Sequence, residues 1–208
     1  MNSLIKWTLI ILGILAIAFA GWAVYDSQSV VAKKPAVYLY PQEDQQILVK
    51  VNINGRMIED IPTYDGGWDV FVTTESLIDD EYDYLFYEAK LQKIDVPTEG
   101  WVVAYESLDP WFEYYLNKLG LNKKEKYQFK EYWLEELDES NFYEIKLLSK
   151  EFLDENMDLI IEPKPDAEIR VIFLFKPIEE NYPITNPEII TPLREGFTAV
   201  EWGGIMIK

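Results

Sequence analysis

Residues 109–137 read DPWFEYYLNKLGLNKKEKYQFKEYWLEEL, and their apolar spacing differs from that of the chain on either side. Asp109 followed by Pro110 is typical of a helix start, because an Asp side chain caps free amides and proline fits the first helical position. Gly120 is typical of a helix end. The first part of this stretch therefore predicts a helix that ends at Gly120.

A second helix is predicted directly after the first. Asn122 and Glu125 form a start signal of the capping-box type. Phe129 and Trp133 repeat at four-residue spacing, which places both side chains on one apolar face. The sequence therefore predicts a two-helix insert at about residues 109–139.

Strand patterns precede the insert. In residues 46–54 apolar and polar side chains largely alternate, which is typical of a half-buried strand, and Asn54-Gly55 favours a turn. The other strand-like stretches before the insert are residues 36–40, 68–73, 84–91 and 101–105.

Strand patterns return after the insert, at residues 142–148, 157–162, 168–175 and 197–207. Residues 163–166, PKPD, favour a tight turn, so the strands on either side of them are predicted to form a β-hairpin. Residues 176–196 contain four prolines, which predicts an extended strap over the surface.

These elements predict the fold class. Runs of strands on both sides of one helical pair, without regular alternation of strand and helix, indicate an α+β protein. We expect a mainly antiparallel, sandwich-like β domain with the two-helix insert, formed as a single domain by residues 35–208.

The N-terminal segment predicts export. Residues 4–25 contain one charged residue, Lys6, and are long enough to cross a hydrocarbon core of about 30 Å. Lys6 lies before the most apolar part, which favours a cytoplasmic N-terminus. Residues 1–25 are therefore predicted to be a transmembrane helix that holds an extracytoplasmic, cell-surface domain through a linker at residues 26–34.

A cleavable signal peptide is the alternative interpretation of the same residues. Ala18-Phe19-Ala20 has the small-x-small pattern of a cleavage site, and cleavage after Ala20 would release a secreted domain. Both interpretations export the domain and differ only in whether it stays attached to the membrane.

Composition restricts the chemistry and the partners. The 208 residues include 37 acidic and 19 basic side chains, and all but one of the basic residues and all of the acidic ones lie beyond residue 25. This charge repels nucleic acid and favours cations or a basic protein partner. The chain contains no Cys and no His, which excludes thiolate chemistry and catalysis by a histidine base. No cofactor is expected.

Several motifs together resemble a known family. Residues 34–41 (KPAVYLYP), 84–88 (YLFYE) and 196–204 (GFTAVEWGG) occur in this order. The chain resembles an uncharacterised family of exported bacterial proteins that have a KPxIYLYP-like motif near the N-terminus and a GFTxxEWGG-like motif near the C-terminus. Tyr87 and Ala89 depart from the Trp and Gly of the family's YLFWEG-like run. The resemblance implies an exported single domain and brings no catalytic residue with it.

Two of these motifs contain a carboxylate among aromatic residues. Such a combination is suited to sugars, because rings stack on pyranose faces and carboxylates accept hydrogen bonds from hydroxyl groups. The predicted function is a binding or interaction module whose ligand is unknown, with carbohydrate as the candidate class. The candidate ligand-binding residues are Tyr87, Glu88, Glu201, Trp202 and Gly203.

Other interpretations of these residues remain open at this point. Glu88 and Glu201 would be the acid and base of a glycoside hydrolase if the fold brought them to about 5–10 Å from each other. They would equally be exposed or ion-paired strand residues, with the rings in the core. A structural protein of the cell envelope that assembles with itself is a third hypothesis.

A calcium site is a weaker candidate. Asp79, Asp80, Glu81 and Asp83 cluster in a predicted turn, and calcium prefers oxygen ligands in loops. Their spacing lacks the Asp-x-Asp-x-Asp-Gly form, so a solvated acidic turn is the favoured interpretation.

Overall fold

The computed structural model describes residues 30–92 and 94–207. The strands are β1 (Val30–Tyr40), β2 (Gln45–Ile53), β3 (Gly55–Ile61), β4 (Trp68–Val72), β5 (Leu85–Leu91), β6 (Trp101–Ala104), β7 (Phe142–Leu147), β8 (Met157–Glu162), β9 (Ala167–Ile178) and β10 (Thr198–Met206). The helices are α1 (Leu108–Lys118), α2 (Lys123–Glu136) and α3 (Lys150–Asn156), and a 3-10 turn, Tyr105–Ser107, precedes α1.

The strands form two sheets. The large sheet has the order β3-β5-β1-β10-β9-β7-β6, and the small sheet has the order β4-β2-β8. All pairs are antiparallel except β9 with β10, which is parallel. The α+β class and the mostly antiparallel, sandwich-like architecture are therefore confirmed.

The large sheet is the middle of three layers. The small sheet packs on one of its faces and encloses the sandwich core, to which β2 contributes Ile47, Val49 and Val51. Helices α1 and α2 pack on the other face and enclose a helix core rich in aromatic rings, including Phe129 and Trp133. Central strands of the large sheet are buried on both faces, so their side chains alternate between two different cores.

The helical pair begins and ends close to the predicted positions. Asn122 and Glu125 form the predicted capping box, with the Asn122 side chain accepting from the Glu125 amide at 3.0 Å. The first helix starts earlier than predicted, because Ser107 rather than Asp109 occupies its N-cap position. Asp109 instead forms an ion pair with Lys130 of α2 at 2.8 Å, so it joins the two helices.

Two of the local predictions are wrong, and a third differs only in where the segment starts. Residues 30–34 belong to β1, so they are not part of a linker at residues 26–34. Strands β8 and β9 do not form a hairpin, because β8 pairs with β2 in the small sheet and β9 with β7 and β10 in the large one. The predicted proline-rich strap is present, without helix or strand, but it begins after Ile178 rather than at residue 176, since β9 extends that far.

The structure also contains elements that were not predicted, namely β3 and α3. No helix among residues 30–92 and 94–207 is long and apolar enough to cross a membrane. The predicted transmembrane helix or signal peptide at residues 1–25 lies outside the described residues.

Candidate functional site

Glu201 lies at the centre of a buried polar network. Its side chain is fully buried on β10, directly opposite Arg170 of β9. The Tyr87 hydroxyl donates to Glu201 Oε1 at 2.6 Å, and Arg170 Nε donates to Glu201 Oε2 at 2.7 Å. Burial, followed by the charge of Glu201, raises the pKa of the Tyr87 hydroxyl well above its usual range, so this group remains a donor.

Arg170 connects the two sheets. Besides binding Glu201, its guanidinium donates to the backbone carbonyl of Met157, the first residue of β8. Its side chain is only 5% exposed. The network of Tyr87, Arg170 and Glu201 is therefore part of the sandwich core. Tyr87 and Glu201 are fully buried, and Arg170 alone of the three lines a cleft, which lies beside α3 and is not the one that Glu88 lines.

Trp202 and Gly203 are also inaccessible. Trp202 points into the helix core, where its ring lies 5.3 Å from that of Phe129. Gly203 lies against the backbone of β1, so that an added Cβ would be 3.0 Å from Pro35 Cα. These four residues, Tyr87, Glu201, Trp202 and Gly203, were predicted to contact a ligand. This prediction is corrected, because they are packed inside the protein and stabilise the fold.

Glu88 lies on the opposite face of the large sheet from Glu201. Tyr87 points into the sandwich core and binds Glu201, and Glu88, the next residue of the strand, points to the other face. The sheet therefore separates the two carboxylates. A hydrolase built on Glu88 and Glu201 is excluded by this geometry, because both groups would have to reach one glycosidic bond.

Glu88 lines an open cleft of about 540 Å³, which we call the Glu88 cleft. The cleft lies where the edge of the large sheet meets α2 and the loop before β5. Strand β3 contributes Glu59, β5 contributes Phe86 and Glu88, and α2 contributes Gln128 and Tyr132. The other lining residues are Lys34, Ile61, Glu81, Tyr82, Asp83 and Tyr84.

Two carboxylates lie side by side in this cleft. Glu59 of β3 is the direct cross-strand partner of Glu88. Partial burial, with the neighbouring charge of Glu59, raises the pKa of Glu88 above its usual range. The backbone amide of Lys34 donates to Glu88 and partly opposes this rise.

Three rings in the cleft surround a lysine. The Lys34 ammonium lies 4.5 Å from the ring centroid of Phe86, 5.0 Å from that of Tyr84 and 5.7 Å from that of Tyr132. We call these three rings the aromatic cage. Such distances are within the range of cation–π attraction, about 6 Å.

The acidic turn has bonding partners within the protein. Asp79 Oδ1 accepts from the Phe71 amide at 2.8 Å, and Asp83 forms an ion pair with Lys124 at 2.6 Å. No group of side chains suited to a metal ion occurs in the described part of the chain. The calcium hypothesis for Asp79, Asp80, Glu81 and Asp83 is therefore not supported; Glu81 and Asp83 instead line the Glu88 cleft.

Glu88 is the one residue of the five predicted ligand-binding residues that lines this cleft. The sequence interpretation missed Lys34, Glu59, Gln128 and Tyr132. Lys34 was assigned to the linker, although it begins the KPAVYLYP motif. Glu59 belongs to β3, in which apolar and polar residues do not clearly alternate. Gln128 and Tyr132 lie next to Phe129 and Trp133, the residues from which the apolar face of α2 was predicted.

No family model and no solved structure matches the chain. The chain is 41% identical over 69 residues to a protein of Butyrivibrio fibrisolvens described as an uncharacterized protein in the bglA 3′ region. The match covers 30% of this chain and 72% of that protein. At this identity and coverage, the chain belongs to the same family as the Butyrivibrio fibrisolvens protein.

Proposed function

We propose that the protein is a membrane-anchored, extracytoplasmic binding module that holds a carbohydrate in the Glu88 cleft. The observation that carries the proposal is the combination of tyrosine and phenylalanine rings with carboxylates in one open cleft. Its volume, about 540 Å³, is within the usual range of small-molecule sites, roughly 300–1,000 Å³. The buried Glu201 network fixes the strands behind it, which favours a preformed site.

Replacing Tyr132 by Ala is expected to weaken carbohydrate binding by about three- to tenfold, because a ring that stacks on a sugar contributes roughly 1 kcal/mol. The measurement begins with a glycan array of cell-surface oligosaccharides, followed by calorimetric titration of the best binder. Tyr114→Ala is the matched control, since Tyr114 is a 54% exposed tyrosine on the neighbouring helix and does not line the cleft. Equal affinity in both variants, or an array without any binder, would contradict the proposal.

Glycoside hydrolysis is a second candidate function, and the Glu59–Glu88 pair favours it. Side chains directly opposite each other on antiparallel strands have Cβ atoms about 4.5–5.5 Å apart. Two glutamates with this Cβ separation can bring their carboxyl groups to about 5–5.5 Å, which is the spacing in retaining hydrolases, where one carboxyl group has a raised pKa and acts as the acid. Glu88 would be the acid and Glu59 the nucleophile.

Release of reducing sugar tests this second candidate on the oligosaccharide that binds best. A hydrolase would lose at least about 100-fold in rate in both Glu88→Gln and Glu59→Gln. Binding without any sugar release by the unaltered protein would leave the binding module as the function.

The anchor proposal concerns residues 4–25. If this segment spans the membrane, residues 26–29 are the connection to β1, and they reach at most about 14 Å when fully extended. We expect the natively expressed protein to be in the membrane fraction with residues 1–20 intact by mass spectrometry. A free species that begins at Gly21 would show instead that the segment is a cleaved signal peptide.

A further inference from the structure

We propose that the Glu88 cleft binds its ligand through a protonated amino group, and that the ammonium of Lys34 occupies the place of that group in the free protein. The inference rests on the proposed carbohydrate function and narrows the ligand class to oligosaccharides with free amino sugars. The aromatic cage of Tyr84, Phe86 and Tyr132, with the carboxylates beside it, carries the inference.

The cage is assembled from separate parts of the chain around one cation. Phe86 belongs to β5, Tyr84 to the loop before it, and Tyr132 to α2. All three ring centroids lie within 5.7 Å of the Lys34 ammonium. An enclosure of several rings is the arrangement by which proteins recognise ligand ammonium groups.

The backbone of β1 is deformed where Lys34 enters the cage. Lys34 has a φ of 55°, in the left-handed region that non-glycine residues rarely adopt. The pairing of β1 with β10 shifts register between Lys33 and Ala36, as in a β-bulge. Gly203 makes room for this bulge, because a side chain there would contact Pro35. Strain of this kind is often found at functional sites.

The charge of the cleft favours a cationic ligand. Four carboxylates line it, those of Glu59, Glu81, Asp83 and Glu88, against the one cation Lys34 among its lining residues. Glu59 and Glu88 are direct cross-strand neighbours. A ligand ammonium that displaces Lys34 from the rings would therefore remain in an acidic environment, and the freed lysine would move towards solvent.

The size of the cleft indicates that the ligand is larger than a simple amine. With Lys34 in place, roughly 540 Å³ of the cleft is empty, which is more than a simple amine would fill. The remaining walls offer Gln128, Tyr82 and carboxylate oxygens, which suit hydroxyl groups. An ammonium group next to several hydroxyl groups is the chemistry of a glucosamine-type unit.

The test compares two trisaccharides with one backbone, the glucosamine trimer with free amines and its N-acetylated counterpart. Binding of both is measured by calorimetric titration with the full-length protein in detergent. We expect the unaltered protein to bind the free-amine trimer at least about tenfold more tightly than the acetylated one. Lys34→Ala, which empties the cage, is expected to bind the free-amine trimer about tenfold more tightly still, because the competing cation is gone.

Two further variants separate cage competition from general electrostatics. Lys124→Ala also removes a positive charge beside the cleft, since Lys124 pairs with the lining residue Asp83, but it leaves the cage unchanged. It is expected to change affinity less than about threefold. Lys34→Gln keeps a polar side chain that is only one atom shorter and removes the charge, and it should reproduce the gain of Lys34→Ala if that variant folds poorly.

Three results would overturn the inference. Equal affinity for the two trimers would leave carbohydrate binding in place and remove the role of the amine. An equal gain in Lys124→Ala and Lys34→Ala would attribute the effect to charge alone. Failure of every variant to bind the free-amine trimer would refute the amino-sugar ligand, while the glycan array still tests carbohydrate binding by itself.

Discussion

Replacing Arg170 by Met is expected to lower the free energy of unfolding by about 3–5 kcal/mol, because it leaves the carboxylate of Glu201 buried without its cationic partner. Glu201 is fully buried, and Arg170 is its ion-pair partner at 2.7 Å. The variant also loses the hydrogen bond to Met157 that connects the two sheets. Denaturant titration followed by tryptophan fluorescence measures the change.

The double variant Arg170→Met with Glu201→Leu tests whether the buried charge is the cause. Replacing both partners by apolar side chains removes the uncompensated charge, so most of the stability should return. Arg56→Met is the control, since Arg56 is an exposed arginine on β3 and its loss should cost less than about 0.5 kcal/mol. A loss below about 1 kcal/mol in Arg170→Met would show that Glu201 does not depend on this partner.

Gly204→Ala is expected to have the second-largest effect on stability, a loss of about 1–3 kcal/mol. An added Cβ would lie 2.7 Å from Trp133 Cζ2 and 2.8 Å from Phe175 Cε2. Both rings are fully buried in the helix core, so neither moves without disturbing its neighbours. The thermal unfolding midpoint and a denaturant titration measure the loss.

A double-mutant cycle with Trp133→Phe identifies the contact responsible. The smaller ring of Phe removes Trp133 Cζ2 and Cη2, which are two of the three atoms nearest to the new methyl group, and leaves the contact with Phe175 in place. The double variant should therefore be at least about 1 kcal/mol more stable than the sum of the two single losses implies. Simple additivity would mean that the clash with Trp133 does not cause the destabilisation.

Local patterns in the sequence were sufficient to predict most of the helices and strands. The alternation in β2 and the capping box of α2 are determined by neighbouring residues, and both were predicted from these signals. Strand pairing depends on distant residues. The turn at residues 163–166 was correctly placed, but it connects a strand of the small sheet with one of the large sheet, and no local signal specifies the sheet to which a strand belongs.

The site was predicted less well for a related reason. A glutamate beside aromatic residues, as in Glu201-Trp202, is typical of a binding surface when one face of the strand is exposed. In this three-layer fold both faces of β10 are buried, so Glu201 points into the sandwich core and Trp202 points into the helix core. The Glu88 cleft combines residues from β1, β3, β5 and α2, and only the folded chain brings Lys34, Glu59 and Tyr132 to Glu88.

The position of β10 has a consequence for the order of folding. This strand comes after all other described strands in the chain, yet it occupies the middle of the large sheet between β1 and β9. Before residues 198–206 have been synthesised, β1 and β9 each present an unpaired edge, and such edges are prone to aggregation. The large sheet is therefore completed late, through pairs as distant in sequence as Tyr38 and Val200, which favours slow folding. A nascent chain of this protein should depend on chaperones that cover these two edges until β10 is available.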